Sequence, residues 1–177
     1  MHLEILSANP SPGGRTSRLA RDVGQELASC LDLPAPQDVV ELSAYASGLF
    51  EWGNAAVADL KARLGAARFL VIATPTYKAS FTGLLKAFLD TYSAGDLTGH
   101  VVVPIFTGGS AAHALAPDFT LRPLLVELGA SVPTRSLYVV SSRLEEPNSI
   151  AADFVHDHRF VLQGAAHGLR LLEESMA

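Results

Sequence analysis

The chain has 177 residues, which is the size of one domain spanning residues 1–177, and its 49% apolar content is enough for a buried core. The formal net charge of -5 argues against a nucleic-acid partner, because binding a phosphate backbone usually requires a basic face. The single cysteine, Cys30, excludes an internal disulfide and is interpreted as a small core residue. With no apolar stretch long enough to span a membrane and no signal-like amino terminus, we expect a cytoplasmic location.

Short apolar runs alternate with segments of helical periodicity along the chain. The predicted strands are residues 3–7, 39–42, 69–73, 101–106 and 137–140. Runs such as FLVIA and VVVPIF are apolar on both faces, which is typical of parallel strands covered by helices on both sides. The alternation therefore predicts right-handed βαβ units in a doubly wound α/β sandwich, with a five-stranded parallel sheet in the order 2-1-3-4-5.

Prolines predict two irregularities in the second half of the chain. Pro104 is expected to mark a local irregularity near the end of the fourth strand, because proline cannot donate to a sheet ladder. A fourth helix over residues 111–128 contains Pro117 and Pro123, and Pro123 crowds the carbonyl of Phe119. We expect a kink or π-bulge near Phe119. Residues 141–153 are predicted to form the longest loop, before a final helix ending near residue 174.

The loop after the first strand, SANPSPGGRTSRLA, combines hydroxyls, glycines and Arg15 just before a helix. The free amides and positive dipole end of a helix suit a phosphate group. The loop lacks both GxxxxGK[ST] and GxGxxG, so it is neither an ordinary P-loop nor a dinucleotide fingerprint. A helix cap of Ser, Thr or Gly with a solvated arginine remains the alternative.

The loops after the third and fourth strands, PTYKAS and TGGS, are the other candidates. Tyr77 offers a flat face with a polar tip to a planar aromatic ligand, or packs on the following helix. The glycines of TGGS allow backbone amides to approach a ring edge or an anionic oxygen, or form a tight turn. All three loops follow strands 1, 3 and 4, so they converge on the crevice where a 2-1-3-4-5 sheet binds FMN.

Three histidines and one serine are candidates for other chemistry. The spacing of His156, Asp157 and His158 matches no metal-ligand pattern, so this segment is interpreted as a solvated surface run and no metal is assigned. His113 borders the predicted site or has a capping or packing role. Ser110 in GGSAA lacks the GxSxG elbow of a hydrolase.

The segments PTYKASFTGLLKAFLD and VVVPIFTGGSAAHALAPDFTLRPLLVELGA resemble the NADPH-dependent FMN reductase family, in particular the reductases that supply reduced flavin to alkanesulfonate monooxygenases. The resemblance covers roughly residues 1–140. It implies a flavodoxin-like fold, a homodimer or homotetramer, FMN as ligand, and NADPH or NADH as hydride donor. It also implies a flavin-dependent monooxygenase as a partner.

The resemblance assigns parts of the flavin to the three loops. It places the phosphate at the first loop, the isoalloxazine beside PTYK, and the pyrimidine edge at TGGS. The expected cofactor-binding residues are Asn9, Ser11, Arg15, Thr16, Ser17, Pro75, Thr76, Tyr77, Lys78, Thr107, Gly108, Gly109, Ser110 and His113. The first loop departs from the family pattern, because one expected arginine is absent and Gly14 replaces a common serine. Phe119 stands where alkanesulfonate-type members carry an inserted tyrosine associated with a π-helix.

The reaction implied is hydride transfer from NAD(P)H to FMN, with no side-chain acid or base required. The leading hypothesis is a reductase that supplies reduced flavin to a monooxygenase, as in sulfonate or sulfur assimilation. The first alternative keeps FMN bound and reduces quinones, azo dyes or metal oxyanions. Others are a flavodoxin-type electron carrier, which the mild charge of -5 disfavours, and a non-flavin receiver or scaffold domain.

Overall fold

The computed structural model describes residues 1–144 and 147–176, and its five parallel strands lie in the order β2-β1-β3-β4-β5. The strands are β1 Leu3–Ser7, β2 Val39–Glu41, β3 Phe69–Pro75, β4 Val101–Gly108 and β5 Leu137–Val140. The α-helices are α1 Arg15–Leu31, α2 Ala55–Ala66, α3 Gly83–Leu89, α4 Arg122–Glu127 and α5 Pro147–Met176. The strand order and the flavodoxin-like doubly wound architecture are confirmed.

The sheet separates two apolar layers. Side chains alternate along a strand, so Phe69, Val71 and Ala73 of β3 pack in the layer under α1 and α5. Leu70 and Ile72 pack in the opposite layer with α2, α3 and α4. This double burial explains why β3 is apolar at every position from 69 to 73.

Two strands extend further than their apolar patterns indicate. Pro75 at the end of β3 is still in register with Thr107 of β4, and β4 continues to Gly108. The prediction that these residues lie in loops is therefore wrong, because strand pairing continues past the last large apolar side chain. In the opposite direction, β2 ends at Glu41, where the 3-10 helix Leu42–Gly48 begins.

Pro104 lies in the middle of β4, so the prediction of an irregularity near the strand's end is wrong. The N–H of Val102 donates to the carbonyl of Ser131 on the β5 side of the strand. Two residues further along, Pro104 faces the same side, since backbone groups alternate along a strand. The β4–β5 register begins only where Ile105 meets Leu137. The missing N–H of Pro104 thus falls in the gap before β5, where it costs no ladder hydrogen bond.

The segment predicted as one fourth helix is divided into a 3-10 turn, a π-helix and α4. The π-helix spans Pro117–Leu121 and includes Phe119, which confirms the predicted π irregularity. The N–H of Arg122 donates to the carbonyl of Pro117, five residues earlier. Pro123 has no N–H for the carbonyl of Phe119, so the wider turn avoids the crowding that α-helical geometry would impose.

The last connection is shorter than predicted. Ser141–Arg143 forms a 3-10 turn and α5 already begins at Pro147, so the prediction of a loop over residues 141–153 is wrong. Proline suits the first turn of a helix, because the N–H it lacks has no partner there. Residues 145 and 146 of that loop lie outside the described residues. Within the described ranges, no helix combines the length and hydropathy needed to cross a membrane.

Candidate functional site

The ends of β1, β3 and β4 are joined by hydrogen bonds at the carboxyl edge of the sheet. The N–H of Ala8 donates to the carbonyl of Ala73, and the N–H of Thr76 donates to that of Thr107, both at 2.7 Å. The hydroxyl groups of Thr16 and Thr107 lie 2.7 Å apart. The three loops singled out in the sequence therefore meet at one edge, which we call the loop edge.

The amino terminus of α1 is open at the loop edge. Its N-cap residue, Gly14, supplies no side-chain hydrogen bond, and the first turn carries no acidic residue. The preceding Gly13 has φ +68°, a left-handed conformation that glycine adopts without strain. The free amides and the positive end of this 17-residue helix form a site that favours an anion.

Side chains around the first loop contribute mainly to its shape. The side chain of Asn9 accepts the N–H of Ser11 at 3.1 Å, forming an Asx turn. Arg15 is exposed, and its guanidinium donates to the carbonyl of Ser141 at 3.3 Å. The buried hydroxyl of Ser17 bonds that of Ser7 at 2.8 Å. Ser17, like Thr16, thus fixes the first turn of α1 on the sheet and leaves its backbone amide for a ligand.

The loop after β3 is a tight turn that presents Tyr77. The N–H of Tyr77 donates to the carbonyl of Ser80, and the reverse bond is also formed, at 2.8 and 3.1 Å. Lys78 and Ala79 between them have φ +52° and +61°, as in a type I′ turn. Tyr77 is 53% exposed, so its ring is not buried against α3 and offers a face to solvent. Non-glycine residues in this conformation are strained.

Replacing Ala79 with glycine is expected to raise the free energy of unfolding by about 0.5–1 kcal/mol, because glycine removes the left-handed strain that alanine carries. The measurement is urea unfolding of both proteins. The matched control is Ala62→Gly on the exposed side of α2, which we expect to cost about 1 kcal/mol. Destabilisation of similar size in both variants would contradict strain at Ala79.

Tyr138 of β5 holds the loop after β4. Its hydroxyl donates to the carbonyl of Ser110 at 2.6 Å. A Cβ added at Gly108 would lie 1.9 Å from that hydroxyl oxygen, so only glycine fits beneath the ring. A Cβ at Gly109 would meet nothing within 4 Å, so the backbone there is open to a ligand. The hydroxyl of Thr76, beside the same turn, is buried without a hydrogen-bond partner among the described residues.

Of the remaining candidates, His113 lies next to the loop edge, and the segment of His156, Asp157 and His158 lies on α5. His113 is exposed in the 3-10 turn Ala111–His113 that follows Ser110, whose side chain accepts the N–H of Ala112. In the segment of His156, Asp157 and His158, the ring of His158 is hydrogen-bonded to the carbonyl of Phe154 on the same helix. In the part of the chain that the structure describes, no group of three or more His, Cys, Asp or Glu could hold a metal.

Three residues of the site were missed in the sequence. Glu41 accepts the N–H of Gly13 at 2.9 Å, Ser141 binds Arg15, and Tyr138 holds Ser110. Glu41 could have been found, because it is the only acidic residue of the predicted strand 39–42 and lies near its carboxyl end. Tyr138 lies within an apolar run, and no local signal distinguishes it from a core residue.

Two cavities lie beside the loop edge rather than in it. One of about 600 Å³ is formed between the segment 48–61 and the segment 87–93. Another of about 420 Å³ borders Tyr138 on the outer side of β5 and is lined by Arg135 and Arg143. Neither cavity is lined by a residue of the three loops.

Comparison with known proteins gives a consistent result. A family model described as NADPH-dependent FMN reductase matches residues 1–144. FMN reductase (NADPH) of Escherichia coli strain K12 is 36% identical over 153 residues, which cover 81% of this chain and 75% of that protein. The NADH-dependent FMN reductase SfnF of Pseudomonas putida is 40% identical over 103 residues, covering 56% of this chain and 55% of that protein. The solved apo form of the NADH:FMN oxidoreductase EMOB has a TM-score of 0.74 at 30% identity, covering 96% of this chain and 88% of that chain.

Proposed function

The chain belongs to the NADPH-dependent FMN reductase family, oxidoreductases that use FMN with NADPH or NADH, and on this premise we propose that the loop edge is its FMN site. The observation that carries the proposal is the placement of an open helix amino terminus and an open glycine backbone at one edge. The hydroxyl pair of Thr16 and Thr107 joins the two. A phosphate suits the first and the edge of a flat ring suits the second.

Specific residues fit each part of this ligand. The amides at the start of α1 and the guanidinium of Arg15 would hold the phosphate. The hydroxyl of Thr76, which has no hydrogen-bond partner in the described part of the chain, and the backbone of Gly109 would meet polar atoms of the ring. Tyr77 would cover part of the ring with its exposed face. The remaining predicted site residues, including Pro75, Lys78 and His113, stay part of the proposal as neighbours of these groups.

Bound FMN supplies the hydride-accepting ring, so the protein supplies position and electrostatics. Backbone N–H groups at Gly109 and Ser110 would stabilise negative charge on the ring edge, since preorganised donors cost no reorganisation during reaction. Tyr138 keeps this peptide in place through its bond to Ser110. No side chain is assigned as an acid or base.

We further propose that the reduced flavin serves a flavin-dependent monooxygenase of sulfonate or sulfur assimilation. Support comes from the first loop, where Arg15 already donates to the carbonyl of Ser141. A weak hold on the phosphate suits a flavin that enters and leaves. Exposed apolar side chains at Leu115 and Phe119 support a homodimer or homotetramer. The packing of both helix layers on one sheet supports a single domain.

Oxidation of NADPH and NADH by the purified protein, with and without added FMN, tests the proposal. We expect colourless protein whose turnover requires added FMN and saturates with it. Yellow protein that reduces a quinone without added flavin would instead support the bound-FMN alternative. No oxidation with any flavin would contradict both and leave an electron carrier or a scaffold.

A further inference from the structure

Glu41 brings a carboxylate into the loop that precedes α1. One of its oxygens, Oε1, accepts the N–H of Gly13 at 2.9 Å. The other, Oε2, is buried and has no hydrogen-bond partner among the residues that the structure describes. Gly13 directly precedes the N-cap residue Gly14, so the carboxylate lies next to the open amides of the helix.

This carboxylate opposes the binding of an anion in two ways. It occupies the N–H of Gly13, which is then not free to donate to a phosphate oxygen. Its negative charge also repels a second anion, and a partly buried charge is screened less by solvent than an exposed one. Arg15 donates to the carbonyl of Ser141 and forms no ion pair with Glu41 in the described part of the chain.

We propose that Glu41 determines how tightly the chain holds the 5′-phosphate of FMN, and thereby its preference between FMN and riboflavin. Riboflavin has the same ring and ribityl chain without the phosphate, so Glu41 weakens the binding of FMN alone. The consequence is a flavin that exchanges readily with solvent. This inference rests on the proposed FMN site, because the phosphate must lie at the amino terminus of α1.

The test compares dissociation constants of FMN and riboflavin for the wild type and Glu41→Gln, measured by quenching of flavin fluorescence at low ionic strength. Glutamine keeps an oxygen that accepts the N–H of Gly13 but removes the charge. We expect FMN to bind about tenfold more tightly to the variant, because one unfavourable charge contact is lost. Riboflavin should change by less than about twofold.

Two further variants separate charge from shape. Glu41→Asp keeps the charge but releases the N–H of Gly13, so the preference for FMN should rise by less than in Glu41→Gln. Glu127→Gln changes the net charge equally at an exposed position on α4, and both dissociation constants should stay as in the wild type. If Glu41→Gln does not fold, Glu41→Ala removes the same charge and should also raise the preference for FMN.

The two proposals fail in different ways. Wild-type protein that binds both flavins, with an unchanged or reduced preference for FMN in Glu41→Gln, overturns the role of Glu41 and leaves the FMN site in place. Wild-type protein that binds neither flavin overturns the proposed site and the role of Glu41 with it.

Discussion

Replacing Arg122 with alanine is expected to lower the free energy of unfolding by about 3 kcal/mol. The guanidinium of Arg122 donates to Asp118 at 2.9 Å, to the carbonyl of Val132 at 2.6 Å, and to that of Thr134. It therefore ties the π-helix to the segment leading into β5. Alanine would leave two carbonyl groups and a carboxylate without their donor in a half-buried setting.

The measurement is chemical unfolding of the wild type and Arg122→Ala, with Arg135→Ala as the matched control. Arg135 also faces an aspartate, Asp157, but both side chains are largely exposed and 3.8 Å apart. Exposed pairs contribute little, so the control should lose less than about 0.5 kcal/mol. Equal losses in the two variants would contradict a structural role specific to Arg122.

The effect of Arg122 should depend on pH. Burial alone would raise the pKa of Asp118, but hydrogen bonds from Ser136 and Arg122, with the charge of Arg122, hold the pKa below its usual value. A carboxyl whose pKa is lowered on folding stabilises the fold at pH values above its unfolded-state pKa. This stabilisation is lost as the pH falls towards and through the folded-state pKa. The difference in the free energy of unfolding between the wild type and Arg122→Ala should thus become smaller below about pH 4.

Replacing Gly108 with alanine is expected to weaken FMN binding at least about tenfold and to lower the free energy of unfolding by about 2 kcal/mol. The new Cβ would lie 1.9 Å from the hydroxyl oxygen of Tyr138 and 2.8 Å from its Cζ. Either the ring or the strand end must shift, and the bond from Tyr138 to Ser110 is then lost. Fluorescence quenching and urea unfolding measure the two effects.

A double-mutant cycle identifies the cause. Tyr138→Phe removes the oxygen that lies closest to the added methyl group, so Gly108→Ala should cost about 1 kcal/mol less in that background. Gly109→Ala is the control for stability, because a Cβ there meets nothing within 4 Å. Fully additive losses for Gly108→Ala and Tyr138→Phe would show that the two residues do not clash.

The individual strands and the π-helix were predictable because each depends on residues close in sequence. The unbroken apolar run in β3 indicated a doubly covered strand, and two prolines six residues apart indicated the π-helix at Phe119. The position of Pro104 within β4 was predicted wrongly, because whether the strand tolerates a proline there depends on where β5 begins to pair with β4. That register involves residues more than thirty positions later in the chain.

The loop edge was predictable as a place, but its internal contacts were not. Glycines and hydroxyls after three strands identified the loops through the topology of the sheet. The partners of those loops, Glu41 and Tyr138, come from β2 and β5, and their contacts span 28 residues in each case. Thr16 and Ser17 fit a phosphate loop by type, yet their hydroxyls turn inward, which only packing decides.

The helices α1 and α5 cover one face of the sheet together, so folding of this face during synthesis depends on when α5 becomes available. The side chains of Val71, Val103 and Ile105 face this layer, and Phe154 and Leu162 of α5 cover them. During translation the sheet can assemble before α5 has left the ribosome, so part of this apolar face stays exposed to solvent until α5 emerges. At the translation rates of cells, about 5–20 residues per second, that interval lasts seconds, long enough for nascent chains to associate or to recruit a chaperone.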